Sequence, residues 1–136
     1  MASFMTKYES HTYALLRIIV GFLFFWHGMQ KLFDIPPAGW EIPAMVKYVA
    51  GSIELVGGAL VAVGLLTRWA AFLCSGLMAA AYWTAHGTNH VLPIVNEGEL
   101  AVLYCFVFLA IASRGPGIWS IDAMRESGGE VPEAIT

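Results

Sequence analysis

Residues Lys47 to Leu66 read KYVAGSIELVGGALVAVGLL, an apolar run long enough for a membrane helix that carries one carboxylate, Glu54, well inside it. Glu54 lies about eight residues into the run, or ~12 Å at 1.5 Å per residue, and so short a side chain does not snorkel that far. A charge facing lipid at a helix centre costs roughly 2.5–3.5 kcal/mol, a large share of a domain's whole stability. Gly51 at i−3, Gly58 at i+4 and Ala62 one turn further share the Glu54 face. Small residues let a second helix backbone approach closely. This face therefore points into a helical bundle and takes Glu54 with it.

The rest of the chain has the same character. Its 136 residues are 58% hydrophobic and only 12% charged, with a mean hydropathy of +0.67, against roughly 25% charge in soluble domains. Three further apolar segments run from Tyr13 to Phe33, Trp69 to Ala85 and Leu100 to Ala112, beside Val46 to Leu66. Together they predict an all-α, membrane-embedded antiparallel four-helix bundle over residues 1–113. Residues 114–136 are expected to form an interfacial segment and a mobile cytoplasmic tail, because RESGGEVPEAIT is polar, acidic and glycine-bearing. No basic region precedes a short apolar core and a small-residue cleavage site, so the first helix is expected to stay in the protein.

The connections fit this plan. DIPPAGWEIP, residues 34–43, ends the first helix with two adjacent prolines, and Trp40 within it suits an interface. The short exit at Thr67 and Arg68 returns the third helix antiparallel beside the second, with Thr67 as the expected N-cap. Asn96 and Glu99 have capping-box spacing before the fourth helix. Lys7, Arg17, Arg68, Arg114 and Arg125 fall at one end of the bundle and only Lys31 and Lys47 at the other, which predicts cytoplasmic termini in a plasma membrane.

A net charge of −3 without a basic run gives no footprint for nucleic acid. Cys74 and Cys105 sit within apolar helices without CxxC spacing, which points to packing rather than a thiol relay.

Threading the helices antiparallel brings His27, Glu54, Tyr82 with His86, and Glu97 with Glu99 to one outer half of the bundle. His27 is expected to form one wall of a shared polar pocket. Lys31, near the end of its helix, is expected to snorkel to the outer surface, and Arg17 to reach headgroups or a helix end. Each polar residue also has a structural reading: His27 and His86 as hydrogen-bonded helix-end residues, Glu99 as the capping partner of Asn96.

RIIVGFLFFWHGMQKLF (residues 17–33), AGSIELVGGALVAVGLLTRWAA (50–71) and AHGTNHVLPIVNEGELAVLYCFVFLAIASRGPGIWSID (85–122) together resemble the DoxX family of small four-helix membrane proteins. The resemblance runs in order from Arg17 to Asp122, and DIPPAGWEIP fits it only loosely. The family's motif positions fall on His27, Lys31, Glu54, Arg68, His86, Asn96 and Glu99. The resemblance implies a membrane protein related to a subunit of a thiosulfate:quinone oxidoreductase and to proteins linked with quinone or catechol stress.

Three functions compete for these residues. The first is a quinone-linked oxidoreductase subunit, in which His27, Glu54 and Glu99 manage protons and Trp26, Lys31, Tyr82 and His86 hold the quinone, since quinone chemistry couples electrons to protons. No flavin fingerprint is present, so electrons would come from a redox partner protein. The second is a non-enzymatic scaffold, assembly factor or permeability protein whose buried polar groups only fix helix pairing. The third makes His27 and His86 ligands of haem, or joins them with Glu54 and Glu99 around a metal ion, although neither a Glu-x-x-His pair nor a CxxCH motif supports it. No dedicated metal site is assigned.

Overall fold

The computed structural model describes residues 4–129, and among them all regular structure is helical. Six helices follow in order: α1 (Glu9–Phe33), α2 (Gly51–Val63), α3 (Thr67–Ala81), α4 (Pro93–Asn96), α5 (Glu99–Arg114) and α6 (Ile121–Gly128). A wider π-helical turn, Val46–Ala50, leads into α2, and another, Tyr82–His86, continues α3. Two helices, Thr6–Phe33 and Val46–Val63, are long and apolar enough to cross a membrane. At 16 residues α5 spans only ~24 Å, which is shorter than the roughly 30 Å of a hydrocarbon core.

Side-chain contacts fix the directions. The end of α1 meets the start of α2 through Lys31 and Glu54, and the start of α1 meets the end of α2 through Arg17 and Val61, so the pair is antiparallel. Arg68 at the start of α3 reaches the last turn of α5, and Ser75 donates to the Cys105 carbonyl at 2.7 Å, so this pair is antiparallel too. A buried core of Phe24, Val61, Ala71, Cys74, Phe108 and Ile111 lies between the helices.

Glycine sets the closeness of α1 and α2. A β-carbon at Gly58 would lie 2.8 Å from the Gly21 carbonyl oxygen, and one at Gly21 would lie 2.7 Å from that of Gly58. Backbone meets backbone here, so no side chain can move aside. The seam read from Gly51 and Gly58 is thus the α1 contact, and it carries Glu54 inward, where only 3% of the residue is exposed.

The end of the bundle that holds Arg17 is laced by capping between helices. After α2, Gly64 adopts the left-handed conformation (φ 71°), and Leu65 N–H donates to the Leu60 carbonyl at 2.9 Å, a Schellman closure. Arg17, fully buried, donates through Nη1 to Val61 and Ala62 carbonyls at 2.8 Å each. Through Nη2 it donates to Ile118 at 3.3 Å and Trp119 at 2.7 Å. Arg68 likewise donates to the carbonyls of Ala112, Ser113 and Arg114 that end α5. Both guanidiniums sit at helix C-termini, where the backbone dipole favours cations.

Thr67 is not the N-cap of α3. That position is Leu66, left-handed at φ 49°, which has no side chain able to cap. Asp122 of α6 supplies the acceptors instead: Leu66 N–H at 3.0 Å, and Thr67 N–H at 3.0 Å with its hydroxyl at 2.9 Å. After the Ser120 cap α6 runs to Gly128, within the expected interfacial segment and tail, and residues 130–136 of that tail lie outside the described part.

Desolvation pushes the Asp122 carboxyl up, but the bonds from Thr67 and Leu66 and the nearby Arg125 outweigh it and hold the carboxyl below its usual range. A depressed folded-state pKa gives stability that is present above the unfolded value of about 3.9 and is lost as pH falls through the folded one. Asp122→Ala is expected to lose about 1–2 kcal/mol at pH 7. Its melting temperature in detergent should converge on that of wild type as pH drops below about 4.

Candidate functional site

At the other end of α1 and α2 the polar groups meet in an apolar setting. His27 and Lys31 are one helical turn apart on α1 and share a face. Lys31 Nζ donates to Glu54 Oε1 at 2.9 Å and to Oε2 at 2.7 Å. The Lys31 side chain is 18% exposed and that of Glu54 4%. Lys31 therefore does not snorkel to the surface as expected, because a buried carboxylate on the facing helix offers both of its oxygens.

The His27 ring stands edge-on to the ring of Tyr104 on α5, with centroids 5.9 Å apart. Phe24 packs beside both, 6.5 Å from His27 and 5.2 Å from Tyr104, and Phe108 stacks below Tyr104 at 5.8 Å. Among the described residues, Arg17 Nε is the one fully enclosed side-chain nitrogen or oxygen without a hydrogen-bond partner. The His27 ring nitrogens and the Tyr104 hydroxyl make no protein hydrogen bond among those residues, with His27 half-buried and Tyr104 8% exposed. The result is a cluster of an apolar aromatic wall, a ring able to take or give a proton, a hydroxyl, and a paired lysine and glutamate beside them.

The other expected site residues separate from this group. Tyr82 is buried, and its hydroxyl donates to the Val91 carbonyl and accepts from Asn96 Nδ2 at 3.1 Å. Asn96 also donates to the His90 carbonyl at 2.6 Å and accepts from Gly98 N–H at 2.8 Å. His86 lies 2.9 Å through Nδ1 from the Asn96 carbonyl; a carbonyl only accepts, so this nitrogen carries the proton. Tyr82, His86 and Asn96 thus lock the connection between α3 and α5. Asn96 does not cap α5 through a box with Glu99: the N-cap is Gly98, and no side chain caps it.

Glu99 is exposed and borders an outer groove with Glu97, Ile94, Leu100 and Leu103, away from the core. Trp26 is 38% exposed and packs on Phe22 and Phe25 at the outside of α1. The single chamber expected from all four long helices is therefore two places, a side-chain cluster between α1, α2 and α5 and a hydrogen-bonded loop lock. Tyr104 was missed from sequence because a tyrosine in an apolar run reads as packing, although its place in NEGELAVLY was a signal. No three His, Cys, Asp or Glu side chains come together to hold a metal ion among the described residues.

Comparison with known proteins adds three results. The sequence profile of the DoxX family matches residues 12–87. An uncharacterized protein of Haemophilus influenzae is 38% identical over 125 residues, covering 87% of this chain and 93% of its own. A Bacillus subtilis protein bearing the name "Putative oxidoreductase CatD" is 29% identical over 113 residues, covering 79% of this chain and 82% of its own. No solved structure matches the chain.

Proposed function

The chain belongs to the DoxX family, and from that premise we propose that it is a four-span plasma-membrane protein serving as a quinone-linked oxidoreductase subunit. The quinone ring enters between α1, α2 and α5. One observation carries this: the His27 nitrogens and the Tyr104 hydroxyl make no protein hydrogen bond among the described residues, beside the rings of Phe24 and Phe108 and one turn from the Lys31–Glu54 pair. A quinone takes up two electrons and two protons on becoming a quinol. His27 is placed to pass the protons one at a time to the ring oxygens, regaining each from water, and Tyr104 to position the oxygen. The Lys31–Glu54 pair holds neighbouring charge balanced as each proton leaves. Electrons come from a partner redox protein, a role consistent with the name of the B. subtilis relative.

Four spans are supported by the outward faces of the two shorter helices. Trp69, Phe72 and Leu73 on α3 are 79%, 61% and 55% exposed, and Leu103 and Phe106 on α5 are 61% and 63% exposed. Such continuous apolar surface is not left in water. The π-turn Tyr82–His86 lengthens α3, and the arginine-capped ends of α2 and α5 lie at the cytoplasmic side by their charge.

The test is solvent extraction of quinone from the detergent-purified protein, with His27→Ala and Tyr104→Phe beside it. Wild type is expected to retain quinone, and His27→Ala at least about tenfold less. No quinone in wild type, or equal amounts in all three, would sink the proposal. A scaffold role is the second reading, favoured by the closed geometry of Lys31 and Glu54, which satisfy one another without a ligand. A Soret band in the same sample would instead restore the haem reading of His27 and His86.

A further inference from the structure

At the opposite end of the bundle lies a cavity of about 440 Å³ whose wall includes Ser10, Tyr13, Arg68, Arg114 and Glu126. None of these residues belongs to the site beside His27. The Arg114 guanidinium covers the Tyr13 ring at 4.2 Å and gives one nitrogen to Glu9 at 3.0 Å, in a pair whose side chains are 45% and 64% exposed. The Tyr13 hydroxyl is committed to the Gly115 carbonyl, which fixes the ring as a floor. Arg68 spends both Nη groups on three carbonyls, so its position is fixed while no carboxylate among the described residues cancels its charge. Its Nε–H and the Ser10 hydroxyl make no protein hydrogen bond among those residues.

The depth of this cavity can be read from its neighbours. Trp69 follows Arg68 directly and is 79% exposed, and Trp119, 57% exposed, stands edge-on to His11. Exposed tryptophans at a helix end mark the headgroup layer, so two guanidiniums and a hydroxyl are presented where lipid phosphates lie. The charges are not uniform, however. Arg68 and Arg114 share the cavity with one lining carboxylate, Glu126, supplied by α6, and Glu9 neutralises Arg114 from outside the wall. A ligand with a single anionic phosphate and a nearby ammonium matches that pattern, whereas a purely anionic headgroup meets Glu126 unpaired.

We propose that this cavity binds the phosphoethanolamine headgroup of a lipid, its phosphate on Arg68, Arg114 and Ser10 and its ammonium on Glu126. Tyr13 and Ile118 supply the apolar floor beneath. The Arg68 Nε–H and the Arg114 nitrogens not given to Glu9 are left to donate to phosphate oxygens, and each such cation near a membrane surface contributes about fivefold in lipid affinity. The proposal rests on the membrane-spanning part of the reading above and is independent of the quinone chemistry.

The experiment reconstitutes the full chain in nanodiscs of equal phosphatidylethanolamine and phosphatidylglycerol, then measures lipid retained after transfer to detergent by native mass spectrometry. Wild type is expected to retain phosphatidylethanolamine about fivefold over phosphatidylglycerol. Arg114→Gln should lower retention of both lipids about fivefold, and Glu126→Gln should reverse the preference toward phosphatidylglycerol. Equal retention by wild type, or a preference unchanged by Glu126→Gln, overturns the proposal. Displacement of the lipid by millimolar free phosphoethanolamine or inorganic phosphate overturns the lipid assignment in favour of a soluble phosphate. Should Arg114→Gln fail to fold, the Glu126→Gln exchange decides alone. Failure of the wild-type chain to enter nanodiscs would mark failure of the membrane reading instead.

Discussion

Lys31→Met is expected to destabilise the protein by about 3–5 kcal/mol, and Glu54→Gln by less, while the double variant recovers most of the loss. Removing one member of a buried ion pair strands the other in a medium that solvates it poorly. The two halves differ in how they can escape. Lys31 lies near the end of α1, is 18% exposed and has a four-carbon stem, so an orphaned ammonium can swing to the surface. Glu54 is a turn deeper, faces the Gly21 and Gly28 side of α1 and has nowhere to go. Replacing both by uncharged side chains of similar volume removes the desolvation cost with the attraction. Thermal unfolding in detergent gives the stability order, and quinone retention by the folded double variant separates the two functional readings. A stable double variant that still binds quinone would reduce the pair to a helix clip. Equal losses in the two single variants would show that Lys31 has no path outward.

The inward direction of Glu54 was legible because it needed only local spacing, with small residues at i−3 and i+4 on a run otherwise hostile to charge. Its partner was not. The snorkelling expectation for Lys31 weighed side-chain length against distance to the surface and lacked the carboxylate that antiparallel packing delivers from 23 positions away in sequence. The same limit explains Glu99. It stands at the right depth, but depth does not give rotation, and the Gly98 start of α5 turns it outward. Tyr82 and His86 were correctly read as polar groups at one helix end, yet their partners come from a loop whose course depends on Asn96. Thr67 misled for a related reason: a threonine at a helix start is the ordinary local solution, and the actual acceptor is Asp122, 55 residues further on. The motifs GLLTRWAA and GPGIWSID, which carry the family resemblance, are in the fold largely the two sides of one capping lattice.

That lattice makes Arg17→Gln the second large effect, an expected loss of about 4 kcal/mol or more. Four carbonyls from two segments, Val61 with Ala62 and Ile118 with Trp119, converge on one guanidinium with no exposure to water. Each bond to a charged donor is worth roughly 1.5–3 kcal/mol, and buried carbonyls left without one add their own desolvation cost. Arg17 Nε, enclosed and unpartnered, offsets part of this but leaves the four bonds dominant. Arg17→Lys should recover only a fraction, because a single ammonium cannot span two carbonyl pairs as a planar fork does. The loss should also couple to Asp122, since the Arg17 bonds to Ile118 and Trp119 hold the turn that brings Asp122 to Leu66 and Thr67. In a double-mutant cycle with Asp122→Ala, the combined loss should fall short of the sum by about 1 kcal/mol or more. Strict additivity would mean that α6 is held by something other than Arg17, and full stability of Arg17→Lys would mean that charge, not the fork, closes this end of the bundle.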